Sequence, residues 1–531
     1  MGKRSSKTGV VFKPYNQGQM MLLPPSLEDM VSANHPVRLI SDIVEQVDIS
    51  ALLATYKPGG TSVYHPKMML KILVYGYINN VYSSRKLEEN VQQNIYYLWL
   101  SGMQTPDHNT INRFRTGRLE VAIEKIFSQI VMLLHEAGVL NIKEIYVDGT
   151  KIEANANRYT FVWGKSIKRN TEKIHTQVKS LWQYAQQIAA VELHDTAPVE
   201  FTGVDAAKVI ETVAKIDAAL RDKEVPEEIK SKLNYTKKHH VENIKKYEDQ
   251  QSKLGPRNSY SKTDVDATFM RMKEDHMQNG QLKPGYNVQC SSSNQFIVNY
   301  SLHSNPTDTT TLSSHLLKYE NTFGNAPDTI TADAGYGSEE NYMILEDKNI
   351  NAFVKYNLFH KEQTKKYQQN IFRADNLFYN EEQDYYVCPI GQHMELIRIF
   401  NTTTEAGFTQ TIHRYQAKNC NGCPMRSQCH QSKGNRIIDR NPNLIRLKKI
   451  AREKLLSEEG IYHRKKRSVD IEPVFGNIKS NKNFKRFKLR SIKKVTIEFG
   501  LVAIAHNLAK YCKIKGKMNR KTTTSFTFYL N

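Results

Sequence analysis

The chain has 531 residues, of which 39% are hydrophobic, so we expect about two or three globular domains rather than a disordered protein. No apolar run of about 18 residues occurs, which excludes a membrane-spanning helix. Lys and Arg number 75 against 54 Asp and Glu. The resulting charge of +21 lies in separated blocks and favours nucleic acid as the partner over an anionic membrane or a merely solvated basic surface. The 6 cysteines are too few for a disulfide framework, which is typical of a cytoplasmic protein.

Residues 1–20 are expected to form a flexible basic lead, and residues 21–138 a helical DNA-binding domain. Two predicted helices near the end of this region begin at Ser83 and Asp107 and have the arrangement of a helix-turn-helix. An ordinary helical bundle with a basic face is the alternative interpretation. The residues proposed to contact phosphates and base edges here are Arg85, Lys86, Thr110, Asn112, Arg113 and Arg115.

Two aspartates each follow a short apolar strand. Asp148 lies near the end of the strand predicted over residues 142–149, which Thr150 and Ile152 could prolong, and Asp333 ends a strand that begins at Thr329. A carboxylate in this position is presented at a sheet edge, where a site can form. Asp-Gly and Asp-Ala-Gly are also ordinary strand-ending turns, so neither position is diagnostic alone.

The order of strands and helices predicts a mixed α/β catalytic domain over residues 139–512. Two insertions are expected to interrupt it, a polar helical one at 165–260 and a cysteine-rich one at 360–440. A helix near residues 309–319 is predicted to be capped by Asp308 or a neighbouring threonine. A final apolar helix over residues 495–511 is followed by a basic tail, 513–531, which we expect to be disordered.

A third acid lies on a short amphipathic helix predicted over residues 469–479. Pro473 is tolerated only in the first turn of a helix, so Glu472 lies near its start, and Gly476 leaves space on the face that carries Glu472 and Lys479. A solvated helix surface is the alternative. Asp148, Asp333 and Glu472 on three separate elements suit two-metal phosphoryl transfer, in which Mg²⁺ or Mn²⁺ is held by carboxylates.

Four cysteines fall within the second insertion. The pair Cys420 and Cys423 is followed by Cys429 and preceded by Cys388. Four thiolates could form a tetrahedral structural zinc site, with His430 as a spare ligand, and four reduced thiols are the alternative.

These motifs together resemble the DDE transposases of bacterial insertion sequences, a family with a ribonuclease-H-like catalytic core and a helical N-terminal domain. The resemblance covers most of the chain and rests on residues 82–85, 106–115, 147–151, 332–337 and 472–479. The last motif of the family is matched in residue type by Tyr462, Arg467, Glu472 and Lys479. Arg467 stands five positions before Glu472, where many members have four.

The resemblance implies metal-dependent strand cleavage at the terminal inverted repeats of a mobile element, followed by attack of the freed 3′-hydroxyl on target DNA. Arg467 and Lys479 would position phosphate, and we expect Lys482, Lys485 and Arg486 to contact DNA. A homodimer on double-stranded DNA and a cytoplasmic, nucleoid-associated location are also implied. The alternatives are a catalytically inactive DNA-binding descendant and a metal-dependent nuclease without strand transfer.

Overall fold

A computed structural model describes residues 26–57, 63–188, 206–272, 280–404 and 406–526, with side chains up to residue 516. The predicted basic lead, residues 1–20, lies outside the described residues. None of the described helices is long and apolar enough to cross a membrane.

The N-terminal part of the described chain is helical. Pro36 and Pro66 occupy first turns, and the Asp107 carboxylate caps a later helix by accepting a hydrogen bond from the Thr110 amide (2.6 Å). The helices are α1 (Pro36–Gln46), α2 (Ser50–Leu53), α3 (Pro66–Ile78), α4 (Ser84–Gln93), α5 (Ile95–Ser101), α6 (His108–Thr116) and α7 (Ile123–Glu136).

The predicted helix-turn-helix pair corresponds to α4 and α6, which pack against each other. They are not joined by a simple turn, because α5 lies between them in the chain. Asn94 caps α5 through its side chain, and Gly102 ends it in the left-handed conformation (φ 59°). The expected two-helix arrangement is therefore replaced by a three-helix one.

A helical arm projects from the next part of the chain. Its apolar residues, such as Val178, Trp182 and Val213, bury one another in a separate small core. The predicted helical insertion is thus a self-contained helical unit closed at its base by a two-stranded ribbon. The elements, in order, are β1 (Glu144–Glu153), β2 (Phe161–Trp163), α8 (Gly164–Ile188), α9 (Ala206–Leu220), α10 (Glu227–Tyr235), α11 (Val241–Leu254) and β3 (Ser259–Ser261).

The central sheet is built from β1 and the strands that follow the arm. These elements are β4 (Thr268–Arg271), β5 (Leu282–Ser293), β6 (Phe296–His303), α12 (Leu312–Phe323), β7 (Thr329–Ala332), α13 (Glu339–Asp347) and β8 (Asn351–Val354). Strands β6, β5 and β1 pair antiparallel, whereas β1, β7 and β8 pair parallel, and β4 adds to the end of β5. This mixed α/β sheet with its helices confirms the predicted ribonuclease-H-like fold class.

The cysteine-rich segment contains a second sheet that the sequence did not predict. Its strands follow the antiparallel order β13-β12-β11-β10-β9 around a small core that includes Met394, Tyr415 and Cys420. Its elements are α14 (Lys365–Gln368), β9 (Phe378–Asn380), β10 (Tyr385–Val387), β11 (His393–Thr403), β12 (Thr409–Ala417), α15 (Arg426–Cys429) and β13 (Ile437–Arg440).

The C-terminal part returns to the central sheet as α16 (Pro442–Leu456), α17 (Glu458–Asp470), α18 (Glu472–Gly476) and α19 (Ile492–Phe526). The predicted disordered tail differs from the structure, because the α19 backbone stays helical to Phe526. The lysines, arginines and methionine of this stretch are good helix formers, and proline is absent from it.

One hydrophobic core joins the N-terminal helices to the central sheet. Helix α19 packs on α3 and α7 and also on β6, so it ties both parts together. The core is continuous from Val31 to Tyr511 and includes Ile471, Val474 and Ile478, the predicted buried face beside Glu472. The position of Glu472 is therefore fixed by packing against the sheet.

Candidate active site

Strand register brings the two aspartates together. In the parallel pair of β1 and β7, Val147 lies opposite Ala332, and the next residues are Asp148 and Asp333. Asp148 does not end its strand, because β1 continues to Glu153 through its pairing with β5. It lies where β7 stops, so the sheet edge forms beside it. Asp148 is 7% exposed, and the Asp333 carboxylate accepts a hydrogen bond from the Gly335 amide (2.8 Å).

Glu472 is linked to this pair through Arg467 on α17. The Arg467 guanidinium lies 3.4 Å from the Asp148 carboxylate through Nη1 and 3.1 Å from Glu472 through Nη2. Its Nη1 is buried and makes no hydrogen bond to any described residue. Arg467 therefore neutralises two of the three predicted acids and retains a donor for a further acceptor.

The other two residues of the predicted last motif differ in position. Lys479 is 8% exposed and lies in the wide helical turn Asn477–Asn481 that follows α18. Tyr462 is 54% exposed on α17, with the Lys466 ammonium 5.4 Å from its ring centroid. The described contacts of Tyr462 do not include the three acids.

Asp308 is a further acid of this site. The helix cap that was predicted for Asp308 or a neighbouring threonine is occupied by Thr311. Helix α12 begins later, at Leu312, and the Asp308 Oδ1 instead accepts hydrogen bonds from the side-chain amides of Asn287 (2.8 Å) and Gln289 (2.7 Å). Its Oδ2 and the Asp333 Oδ1 lie 3.5 and 3.0 Å from the point where a Cβ on Gly335 would be. A fourth carboxylate therefore stands beside the predicted acids. Buried amides at alternating positions of β5 were the only sequence signal for it.

Lys355 follows β8 as Asp333 follows β7. Val354 lies opposite Ala332, and the Lys355 amide donates to the Ala332 carbonyl (3.4 Å). Burial and repulsion by Arg467 lower the pKa of Lys355, an effect that the nearby Asp333 opposes. Lys355 is not among the site residues predicted from the sequence.

The pKa of Tyr336 reflects its burial and the negative charge of the surrounding acids. Its hydroxyl donates a hydrogen bond to the Gln289 side-chain carbonyl. Burial, followed by the charges of Asp308, Asp148 and Asp333, holds the pKa of Tyr336 well above its usual value. A cluster with this much negative charge requires cations, and the Arg467 guanidinium supplies one in direct contact with two of the acids.

The predicted DNA-binding residues of the helical region fall into two groups. Arg85 and Lys86 on α4 and Arg113 on α6 are exposed, and Thr110 and Asn112 are half-buried. Arg115 is a correction, because it is 3% exposed and donates to the Tyr82 carbonyl (2.7 Å) and the Tyr77 hydroxyl (3.3 Å). Its guanidinium stabilises the core and is not presented to DNA.

The basic residues after α18 also differ from one another. The Lys482 ammonium donates to the Ile78 carbonyl, and the Arg486 guanidinium donates to the carbonyls of Ala154 (3.1 Å) and Ala156 (3.0 Å). Both side chains therefore join the chain segments around the site. Lys485 is exposed.

The four cysteines of the second insertion line one cavity of about 20 Å³ with His430. Backbone amides of Gln392 and Arg436 donate to the sulfurs of Cys388 (3.3 Å) and Cys420 (3.4 Å), and the Arg436 guanidinium donates to Cys429 (3.0 Å). In the part of the chain that the structure describes, no three His, Cys, Asp or Glu side chains are grouped closely enough to hold a metal ion.

Comparison with known families gives two matches. Residues 387–512 match a transposase DDE domain, and residues 25–117 match a transposase domain (DUF772). The first match contains Glu472, Lys479 and the four cysteines of the insertion, whereas Asp148 and Asp333 lie outside both. No match was found among curated proteins or among solved structures. The two transposase matches, on a ribonuclease-H-like fold, support a DDE transposase of insertion-sequence type.

Proposed function

We propose that this DNA transposase cleaves DNA at the ends of a mobile element and joins the freed 3′-hydroxyl to target DNA, with Asp148, Asp333 and Glu472 holding divalent metal. The observation that carries the proposal is the adjacency of the two aspartates across β1 and β7, linked to Glu472 by Arg467. Phosphoryl transfer requires little covalent chemistry from the protein. The site must instead position the reacting groups and stabilise the negative charge of the transition state.

The donor set fits Mg²⁺ or Mn²⁺, because its groups are carboxylates without imidazole or thiolate. Arg467 occupies the space between Asp148 and Glu472, so the guanidinium must give up one of these contacts as the acids take up cations. A cation held there when bound activates the attacking oxygen and stabilises the leaving one.

The side chains around the acids have defined tasks in this proposal. Arg467 can turn its unbonded Nη1 from Asp148 toward a phosphate oxygen, where it would stabilise the negative charge of the transition state. The Gly149 amide holds Asp148 Oδ1 (2.8 Å), and Asp333 Oδ1 is held in the same way by Gly335. Both aspartates are thus oriented before substrate binds. We assign Lys479 to phosphate positioning on the resemblance alone.

Isosteric substitutions test the assignment. Asp148→Asn, Asp333→Asn and Glu472→Gln should each reduce Mg²⁺-dependent cleavage of terminal-repeat DNA by roughly a thousandfold or more, because each removes a negative charge that the metal requires. Their affinity for the same DNA should stay within a few-fold of wild type. The control is Glu346→Gln. Glu346 is an exposed acid on α13 that forms an ion pair with Arg446 on α16. Full cleavage by any of the three variants would remove that residue from the site.

We also propose that Cys388, Cys420, Cys423 and Cys429 bind one structural zinc ion. They line a single small cavity, and the N–H groups directed at their sulfurs would stabilise thiolates. Small rotations of the side chains would be needed to bring the four sulfurs to one ion. The sheet of this insertion has a small core, so such an ion would add to its stability.

Metal analysis of the purified protein tests the zinc proposal. We expect about one zinc ion per chain, lost in Cys420→Ser with Cys423→Ser, together with a lower unfolding temperature for the insertion. Cys290→Ser is the matched control, since Cys290 is buried in β5, away from the cavity. A folded, metal-free wild-type protein would refute the proposal.

A further inference from the structure

We propose that Lys355 and Arg464 form a phosphate-binding subsite for the DNA strand beside the acid site, an inference that rests on the proposed function. Neither residue belongs to the acids or to the motif residues identified from sequence. The occupant would be a backbone phosphate next to the one being cleaved. Three observations lead to this proposal.

The first is position. The parallel strands β1, β7 and β8 are in register at Val147, Ala332 and Val354, so the residues that follow form a row across the sheet. That row is Asp148, Asp333 and Lys355. The lysine therefore leaves the sheet at the same edge as the two acids, one strand further along.

The second is the lack of partners. Among the described residues, the half-buried Lys355 side chain makes no hydrogen bond or ion pair, although it lies within electrostatic range of Asp333 and Glu472. Arg464 lies over the Phe359 ring (5.2 Å to the centroid), and its Nε is buried without a hydrogen-bond partner in the described chain. Both cations keep donors that a phosphate could use.

The third is the accumulation of like charge. Arg464 and Arg467 are three residues apart on α17, and therefore lie on one face of the helix. Lys355 experiences repulsion from both. Holding a half-buried lysine beside two arginines is unfavourable unless an anion joins them. Glu472 and Asp148 form ion pairs with Arg467. In the described part of the chain neither Lys355 nor Arg464 forms an ion pair with an acid, so their positive charge is available for DNA.

A phosphate-by-phosphate binding experiment tests the subsite. DNA duplexes of the element end, each with one neutral methylphosphonate, would be bound to wild type, Lys355→Met and Arg464→Met. We expect wild type to lose roughly ten- to hundredfold in affinity at one or two adjacent phosphates. The two variants should bind the unmodified duplex more weakly than wild type by a similar factor. Methylphosphonate at those same positions should not lower their affinity further.

Two further variants make the outcome decisive. Lys355→Arg should restore part of the affinity, and Lys361→Met, which removes an exposed lysine of the following loop, should behave as wild type at every position. The proposal is overturned if Lys355→Met and Arg464→Met bind like wild type, or if they keep full sensitivity at every phosphate. Binding is read without cleavage, so a wild-type protein that binds but does not cut would count against the proposed function and leave the subsite result intact.

Discussion

At the scale of single residues, Gly149 has no room for a side chain beside the acids. A Cβ at this position would contact Asp308 Oδ1 and lie 2.5 Å from Gln289 Nε2. Gln289 is fully buried and hydrogen-bonded to Asn287 and Asp308, so it cannot move aside freely. The glycine after Asp148 is therefore required by packing within β1 and not by a turn.

We predict that Gly149→Ala lowers the free energy of unfolding by about 1–3 kcal/mol and abolishes cleavage, because the added methyl displaces the side chains that surround Asp148. Gly476→Ala is the matched control for stability. No atom lies within 4 Å of its added Cβ, and alanine gains up to about 1 kcal/mol in a helix. Thermal unfolding and a cleavage assay of the two variants and wild type test this prediction. A Gly149→Ala protein with wild-type stability and wild-type cleavage would contradict the packing argument.

The site residues that could be identified from the sequence are those whose position follows from their local sequence. Asp148 and Asp333 were recognised because apolar strands precede them, and Glu472 because Pro473 fixes a helix start. Asp308 and Lys355 were missed because their place in the site depends on the pairing of distant strands. The assignment of Arg115 to DNA was wrong because this side chain is buried against Tyr82. That burial depends on packing between helices, which composition does not reveal.

At the scale of elements, a buried histidine joins three parts of the chain near the acids. The His506 ring on α19 accepts a hydrogen bond from the Asn477 amide group (2.9 Å) and donates one to the Gln295 carbonyl in the β5–β6 turn (2.9 Å). Burial lowers the pKa of His506 from 6.5 to about 4. The neutral ring therefore holds α19 and the β5–β6 turn to the segment that follows α18.

We predict that the free energy of unfolding falls as the pH falls from about 6.5 to about 4. In this window His506 is protonated in the unfolded chain but stays neutral in the folded protein. The contribution is roughly 3 kcal/mol, fully present above pH 6.5 and lost below about pH 4. Half-buried His303, with its pKa lowered by desolvation to about 4, adds in the same direction.

Unfolding temperatures measured across this pH range provide the test. His506→Gln should have a shallower dependence on pH than wild type, whereas His393→Gln, which alters an exposed histidine, should keep the wild-type dependence. An unchanged dependence in His506→Gln would contradict the assignment.

Elements were predicted well where one periodicity dominates. The strands that lead to Asp148 and Asp333 and the helix that begins near Glu472 were recognised from short apolar runs and a helix-start signal. The sheet of the cysteine-rich segment was not, because β11 is mostly exposed and a register shift between Leu396 and Arg398 interrupts its alternation. The length of α19 was underestimated because its last turns have no apolar face to reveal them.

At the scale of the whole molecule, the charge of +21 and one continuous core suit a protein that holds DNA across several elements. Among the predicted contacts in the helical region, Arg85 and Lys86 on α4 and Arg113 on α6 are exposed cations. The helical arm also carries exposed lysines, but we expect it to be solvated.

We predict that Arg85→Gln with Lys86→Gln lowers the salt dependence of DNA binding, because each lost phosphate contact removes about 0.9 from the slope of log affinity against log salt. The slope should fall by roughly 2 across different DNA sequences. Lys230→Gln with Lys238→Gln removes two exposed lysines of the arm and should leave the slope unchanged. A larger effect from the arm pair would place DNA there instead.

The joining reaction tests the central claim most directly, because it separates a transposase site from that of a simple nuclease. Pre-cleaved element ends with a free 3′-hydroxyl would be incubated with target DNA, Mg²⁺ and either wild type or Glu472→Gln. We predict covalent end–target products with wild type and none with Glu472→Gln or without a divalent metal. Joining by Glu472→Gln at the wild-type rate, or no joining by a wild-type protein that still cleaves, would contradict the account.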